Sequence, residues 1–542
     1  MKKLLSLTLI LAMLLTLSAC GAAKDGENFA PDDAGFNGGY SNSADGNYGG
    51  NYIGGEQADD AVMDAPMEEA SPSEGDAELD WEEPDYDQPE IIFIKENDFT
   101  KTATQPISTF SADVDTASYT YFRKLVTNGY NLSSLIATAG SAIRTEEMVN
   151  YFTYNYAAPQ GSEVFGETAS MIKSPWNNET YLLTVGINAK EVEASTQNNL
   201  VFLIDVSGSM SSSDKLPLLK KAFAYLTDNL GSDDRISIVT YSGKEAVVLD
   251  GCKGNQKETI LNAINSLNAS GSTNGEAGII KAYQLAEKHF IQGGNNRIIM
   301  ASDGDLNVGI SSPEQLANLV SEKRDSGVFL SVLGFGTGNF RDSNMSALAQ
   351  NGNGVYHYID CAAEAEKIFS TQLLSTIVTV AKDVKFQLTF DPEYVSEYRL
   401  IGYENRMLNT EDFDNDTKDA GEVGSGHTVT VCYELKLNTD NTASDFKIAK
   451  LAIRYKAPDK DISVLRECDI SSECYTDTPT DDTRFIAAVV ETSMILRDSS
   501  FLNTEKNSAL CGIISRLDTM NLNAERTEFS NLLKSLILYG AK

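Results

Sequence analysis

Histidine and tryptophan are nearly missing from this 542-residue sequence, with three and two copies, and basic residues are outnumbered, 43 Lys and Arg against 78 Asp and Glu. Each shortage excludes something. The histidines, His289, His357 and His427, come with no C-x-x-C and no H-E-x-x-H, so a zinc hydrolase has no ligand set to use. A formal net charge of −35 makes nucleic acid an unsuitable partner, because phosphate backbones are held by surplus lysine and arginine. No phosphate-cradling Gly-x-x-x-x-Gly-Lys and no Gly-x-Ser-x-Gly elbow is present. The sequence therefore points away from an enzyme. Past the N-terminus, no segment offers the ~18 consecutive apolar residues that a spanning helix requires. Seven cysteines lack the dense spacing of a disulfide scaffold, and only Cys468 and Cys474 are close enough for a local loop.

What is present begins with a leader. Lys2 and Lys3 precede an apolar run from Leu4 to Leu17, which ends in Leu17-Ser18-Ala19-Cys20-Gly21. This is the form of a signal peptide over residues 1–20. A cysteine directly after small residues is what lipoprotein processing needs, since the thiol is acylated before cleavage makes it the new N-terminus. Cys20 is accordingly the expected lipid attachment point. The protein is then expected at the cell membrane, on its extracytoplasmic face. Residues 21–90 carry 20 acidic side chains against one lysine, Lys24, in a Gly-, Asn- and Ser-rich background. Such a stretch buries too little apolar surface to fold and reads as a disordered acidic tether, with a reach of about 45 Å for ~70 flexible residues.

The remaining chain exceeds what one hydrophobic core usually serves. Residues 91–198 mix strand-like and helical patterns into an N-terminal α+β flanking domain. Over residues 199–383 the pattern becomes a strict alternation of short apolar strands with helices. The clearest strands are Leu200 to Ile204, Arg235 to Tyr241, Arg297 to Ala301 and Val328 to Phe335. Their near-continuous apolar character implies a doubly wound parallel sheet, Rossmann-like, covered on both faces. Residues 384–542 are strand-rich and end in helices.

In doubly wound sheets, ligands bind beyond the carboxyl ends of the strands. The first strand there ends in Asp205-Val206-Ser207-Gly208-Ser209, which puts a carboxylate and two hydroxyls at alternate positions of one tight loop. Thr273 follows in the Gly-rich loop Ser270-Gly271-Ser272-Thr273-Asn274, and Asp303 ends a later strand. Hard oxygens with few carboxylates suit Mg²⁺, with Mn²⁺ and Ca²⁺ as poorer fits. A cation so held keeps positive character for an acidic group on a partner. The run Asp412-Phe413-Asp414-Asn415-Asp416 imitates a calcium loop but has Thr417 where Gly is required and Val423 where Glu is required. It reads as a solvated acidic loop.

These residues resemble the von Willebrand factor type A (VWA) family, whose metal-ion-dependent adhesion site is written D-x-S-x-S, then T, then D. Asp205, Ser207, Ser209, Thr273 and Asp303 fill all five positions. The resemblance implies direct metal contact by both serines, with Thr273 joining in the high-affinity state and the aspartates acting directly or through water. It extends to a group of bacterial lipoproteins with this domain at their centre, through Ser108 to Tyr119, Arg144 to Phe152 and Tyr398 to Arg406. The implied function is metal-dependent binding of a protein ligand that presents a carboxylate, as a surface adhesion protein or as an envelope scaffold.

Overall fold

A computed structural model describes residues 95–540, apart from 141, 193–196, 273–274, 305–312, 325, 337–341, 373–377 and 439–444. Cys20, the leader, the acidic tether and Thr273 lie outside the described residues. Strands β1 (Thr100–Lys101) and β2 (Ile107–Ser111) come first, then helices α1 (Ala117–Thr127), α2 (Leu132–Ala139) and α3 (Thr145–Asn150). A long hairpin of β3 (Phe165–Ser174) and β4 (Asn177–Ala189) follows. The alternating part comprises β5 (Asn198–Asp205), α4 (Leu216–Asn229), β6 (Arg235–Tyr241), β7 (Ala246–Lys253), α5 (Lys257–Asn265), α6 (Gly275–Lys288) and β8 (Asn295–Ser302). It continues through α7 (Pro313–Arg324), β9 (Phe329–Phe335), α8 (Asp342–Asn351), β10 (Tyr356–Ile359) and α9 (Ala362–Lys367). Six more strands are β11 (Thr379–Phe390), β12 (Val395–Ile401), β13 (Gly421–Gly424), β14 (Thr428–Leu437), β15 (Lys447–Lys456) and β16 (Ser463–Ser471). Three helices end the chain: α10 (Asp481–Leu496), α11 (Lys506–Leu517) and α12 (Ala524–Gly540).

The alternating part forms a six-stranded sheet in the order β10-β9-β8-β5-β6-β7. Five strands run parallel, whereas β7 adds an antiparallel edge against β6. Strand β5 lies centrally and is buried on both faces. Leu200, Phe202 and Ile204 share a core with Leu219, Phe223 and Leu226 of α4, and Val201 and Leu203 share another with Ile279, Ala282 and Tyr283 of α6. Burial from both sides is why the strand reads as an unbroken apolar run.

The two flanking stretches do not form separate bodies. Strands from both stand side by side in the sheet order β1-β12-β14-β4-β3, and β2 pairs with β11 in the sheet that runs β13-β11-β15-β16. These two sheets share one core, in which Phe110 meets Phe386, Tyr403 and Tyr433. The division at residue 383 falls inside β11, because that strand belongs wholly to the flanking sheets. Helices α1–α3 likewise join α10–α12 in a core continuous with one face of the parallel sheet. Thr480 caps α10 by accepting from Thr483 N at 3.2 Å, with Asp481 and Asp482 favourably placed at the positive end of the helix. All six cysteines among the described residues are free thiols, Cys468 and Cys474 included.

One buried charge network seams these parts together. Arg406 donates to Asp113 (2.8 Å) and Asp115 (3.4 Å), and Arg144 donates to Glu147 (2.8 Å), which also accepts from Ser118 N and Oγ. Asp115 Oδ1 accepts from Tyr356 N at 2.8 Å, tying the flank to β10. Next to it, Arg123 of α1 grips Asp360 through two nitrogens (2.8 and 2.5 Å) and reaches Glu364 of α9. The three stretches singled out above, Ser108 to Tyr119, Arg144 to Phe152 and Tyr398 to Arg406, thus converge on one place. Asp113, Asp115 and Glu147 bring their carboxylates within 4.8 Å of one another, but arginines, a serine and backbone amides already engage their oxygens.

Removing one partner from a buried ion pair leaves the other uncompensated, so Arg406→Ala should cost on the order of 3–5 kcal/mol in denaturant unfolding. A loss below about 1 kcal/mol would remove Arg406 from this central position. The same network sets a pH dependence. Glu146 is buried, and that burial, followed by the charges of Glu404 and Asp113, pushes its carboxyl from the usual 4.5 up to about 8. Glu146 is thus protonated in the fold while the unfolded chain has already ionised, so its stabilisation is complete below about 4.5 and is lost as pH rises towards 8. Glu146→Gln should flatten the fall in stability between pH 5 and 9; parallel wild-type and variant curves would contradict this.

Candidate metal centre

Because β5 and β8 are parallel neighbours, with Ile204 opposite Ala301, their carboxyl ends deliver Asp205 and Asp303 to the same edge of the sheet. The chain after Asp205 turns at once into a short helical turn, Gly208–Ser211. Asp205 Oδ1 accepts from Ser207 N at 2.8 Å, which folds the loop back, and the Ser207 and Ser209 hydroxyls stand 3.0 Å apart. Ser302 Oγ donates to Asp205 Oδ2 at 3.3 Å. The Gly-rich loop is stitched alongside, since Gly208 N donates to Gly271 O (3.0 Å) and Ser270 N to Val206 O (2.7 Å). The structure thus brings together Asp205, Ser207, Ser209 and Asp303, with the loop that leads to Thr273 beside them.

Electrostatically the two aspartates differ. Asp205 is fully buried, and no basic side chain pairs with it among the described residues. Burial is the main reason its carboxyl is raised from 3.8 to about 6; hydrogen bonds from Ser207 oppose the rise, and the charge of Asp303 adds to it. Asp303, also buried, is paired with Lys215 Nζ at 2.7 Å. Tyr241 lies opposite Asp205 in the β5–β6 register, and its phenol is driven well above its usual range by burial and then by Asp205. Gly278 lets α6 approach, as a Cβ there would stand 2.9 Å from that of Tyr241.

A buried carboxylate without a counter-charge, beside two hydroxyls in one loop, suits a hard divalent cation. Ser302, Tyr241 and Lys215 escape the motif. Ser302 carried a faint signal, as the neighbour of Asp303 at a strand end; Lys215 carried none.

A family model described as von Willebrand factor type A domain matches residues 199–371, and one described as von Willebrand factor matches residues 86–184. A third, described as uncharacterized protein YfbK, C-terminal, matches residues 375–537. Uncharacterized protein YfbK of Escherichia coli K12 is 41% identical over 433 residues, spanning 75% of this chain and 74% of its own. The chain belongs to the YfbK family. Outside that family the likeness narrows: human inter-alpha-trypsin inhibitor heavy chain H3 is 28% identical over 177 residues, 31% of this chain and 20% of its own. A solved von Willebrand factor type A protein from Catenulispora acidiphila, 15% identical, covers 63% of this chain and 80% of its own at a TM-score of 0.40. This YfbK-family chain is therefore a VWA protein of α/β fold with flanking mixed regions, in a class whose members typically bind other proteins or mediate adhesion and often hold a divalent metal.

Proposed function

We propose that this YfbK-family protein is a lipid-anchored surface protein that captures an acidic group of a protein ligand through a divalent metal, with Mg²⁺ the best fit. The observation that carries the reading is the buried Asp205, without a basic partner among the described residues, set against the Ser207 and Ser209 hydroxyls and beside Asp303. In this reading Asp205, Ser207, Ser209, Thr273 and Asp303 hold the cation, directly or through water. A cation held there would supply an electrophilic position for a carboxylate on the partner, and adhesion or ligand binding would follow from that contact.

Catalysis is not part of this reading. The histidines are engaged elsewhere, His289 with Asp250 (2.6 Å), His357 with Thr116 (3.3 Å) and His427 with the Gly424 amide (3.4 Å). The proposed anchoring, and with it a position on the extracytoplasmic face of the cell membrane, is supported by the leader and by Cys20 directly after Ser18 and Ala19. No helix among the described residues is long and apolar enough to span a membrane.

Capture of partners by the full chain in Mg²⁺, in chelator and as Asp205→Asn should succeed only in the first condition. Equal recovery in all three would end the metal-dependent reading. An external protein among the partners would mark an adhesion protein, and the organism's own envelope proteins would mark a scaffold. Separately, Cys20→Ser should abolish incorporation of a labelled fatty acid and release the protein from the membrane fraction. Retention of label on the serine variant would disprove anchoring at this residue.

A further inference from the structure

Lys215, just before α4, sends its side chain into the candidate centre. Its Nζ donates to Asp303 Oδ2 at 2.7 Å and to Ser209 O at 3.0 Å, with the lysine side chain 10% and the Asp303 side chain 0% exposed. The path it takes is built for it. Gly336, at φ +72, lies against the lysine methylenes, and a Cβ there would stand only 2.1 Å from Lys215 Cε. The Gly336 carbonyl is in turn fixed by Tyr358 OH at 2.8 Å. A surface lysine making an incidental ion pair would have neither this channel nor this burial.

We propose that Lys215 is a resident counter-cation that sets the charge of the centre and so makes metal and acidic ligand depend on each other. The proposal rests on the metal reading above. Two aspartates alone would bring the net formal charge of a centre holding a divalent cation to zero, leaving the attraction to a partner to the metal's local field. With the Lys215 ammonium included, the loaded centre carries one surplus positive charge. Two consequences follow from Coulomb's law at partly buried distances. The metal is held less tightly than the two carboxylates alone would hold it, and a carboxylate from the partner restores neutrality. By linkage, the ligand then strengthens metal binding as much as the metal strengthens ligand binding. Lys215 acts here as a positioning and charge-setting residue, not as a metal ligand.

The test uses Mn²⁺ as the probe metal and acetate as the probe carboxylate, on the purified full chain. Mn²⁺ affinity is read by electron paramagnetic resonance of the free ion, with chloride matching the ionic strength of the acetate. Lys215→Met should bind Mn²⁺ at least about tenfold tighter than wild type, and acetate should raise Mn²⁺ affinity more in wild type than in the variant. Lys215→Arg keeps the charge and should stay within about threefold of wild type. Lys215→Gln, which keeps a donor for Asp303, carries the same expectation as the methionine variant if that one does not fold by circular dichroism. A folded neutral variant whose Mn²⁺ affinity is unchanged or weaker, while wild type binds and Asp205→Asn does not, would overturn the role of Lys215 alone. Wild type that binds Mn²⁺ no better than Asp205→Asn would overturn the metal reading, and this inference with it.

Discussion

The buried ion network around Asp113, Asp115 and Arg406 is the constraint on which the rest of the molecule depends. It draws one segment from before the parallel sheet and one from after it into a single cluster, and through Asp115 it reaches the backbone of β10. Burying so many charges is costly, since desolvation offsets most of the Coulomb attraction. What such a network supplies is alignment. A guanidinium held by two aspartates accepts few other arrangements, so the antiparallel sheets, the helices and the parallel sheet come together in one register.

That alignment gives the candidate centre its firmness. Its residues stand at the ends of β5 and β8, which are buried on both faces, and the second face of that sheet continues into the helices of the flanking parts. A binding constellation held by packed strands keeps its geometry more closely than one carried by loops alone. Arg123, gripping Asp360 and Glu364, adds a second tie at the far edge of the same sheet.

Legibility in the sequence followed the range of the interactions. Asp205, Ser207 and Ser209 could be read because a strand and a tight loop are local, and Asp303 because it closes another apolar run. The parallel sheet was equally plain, since strands covered on both sides announce themselves as apolar runs. Strand β7 was not, for its exposed and half-buried residues give an edge strand little pattern. Nor was the merging of the two flanks, in which Arg406 meets Asp113 across 293 residues and no periodicity records such a distance. Lys215 stayed hidden for a similar reason: a lysine before a helix is commonplace, and only the gap at Gly336 shows where it goes.

The interleaving of the flanks has a consequence in time. Strand β4, complete at Ala189, finds a neighbour in β14, which starts only at Thr428. Until β14 is supplied, the β4 edge of the β3–β4 hairpin has no neighbour. The parallel-sheet part, encoded entirely within that gap, is available to fold first. Its own closure would then bring β11 back towards the waiting hairpin, so that the central domain serves as the assembly jig for the body that later surrounds it.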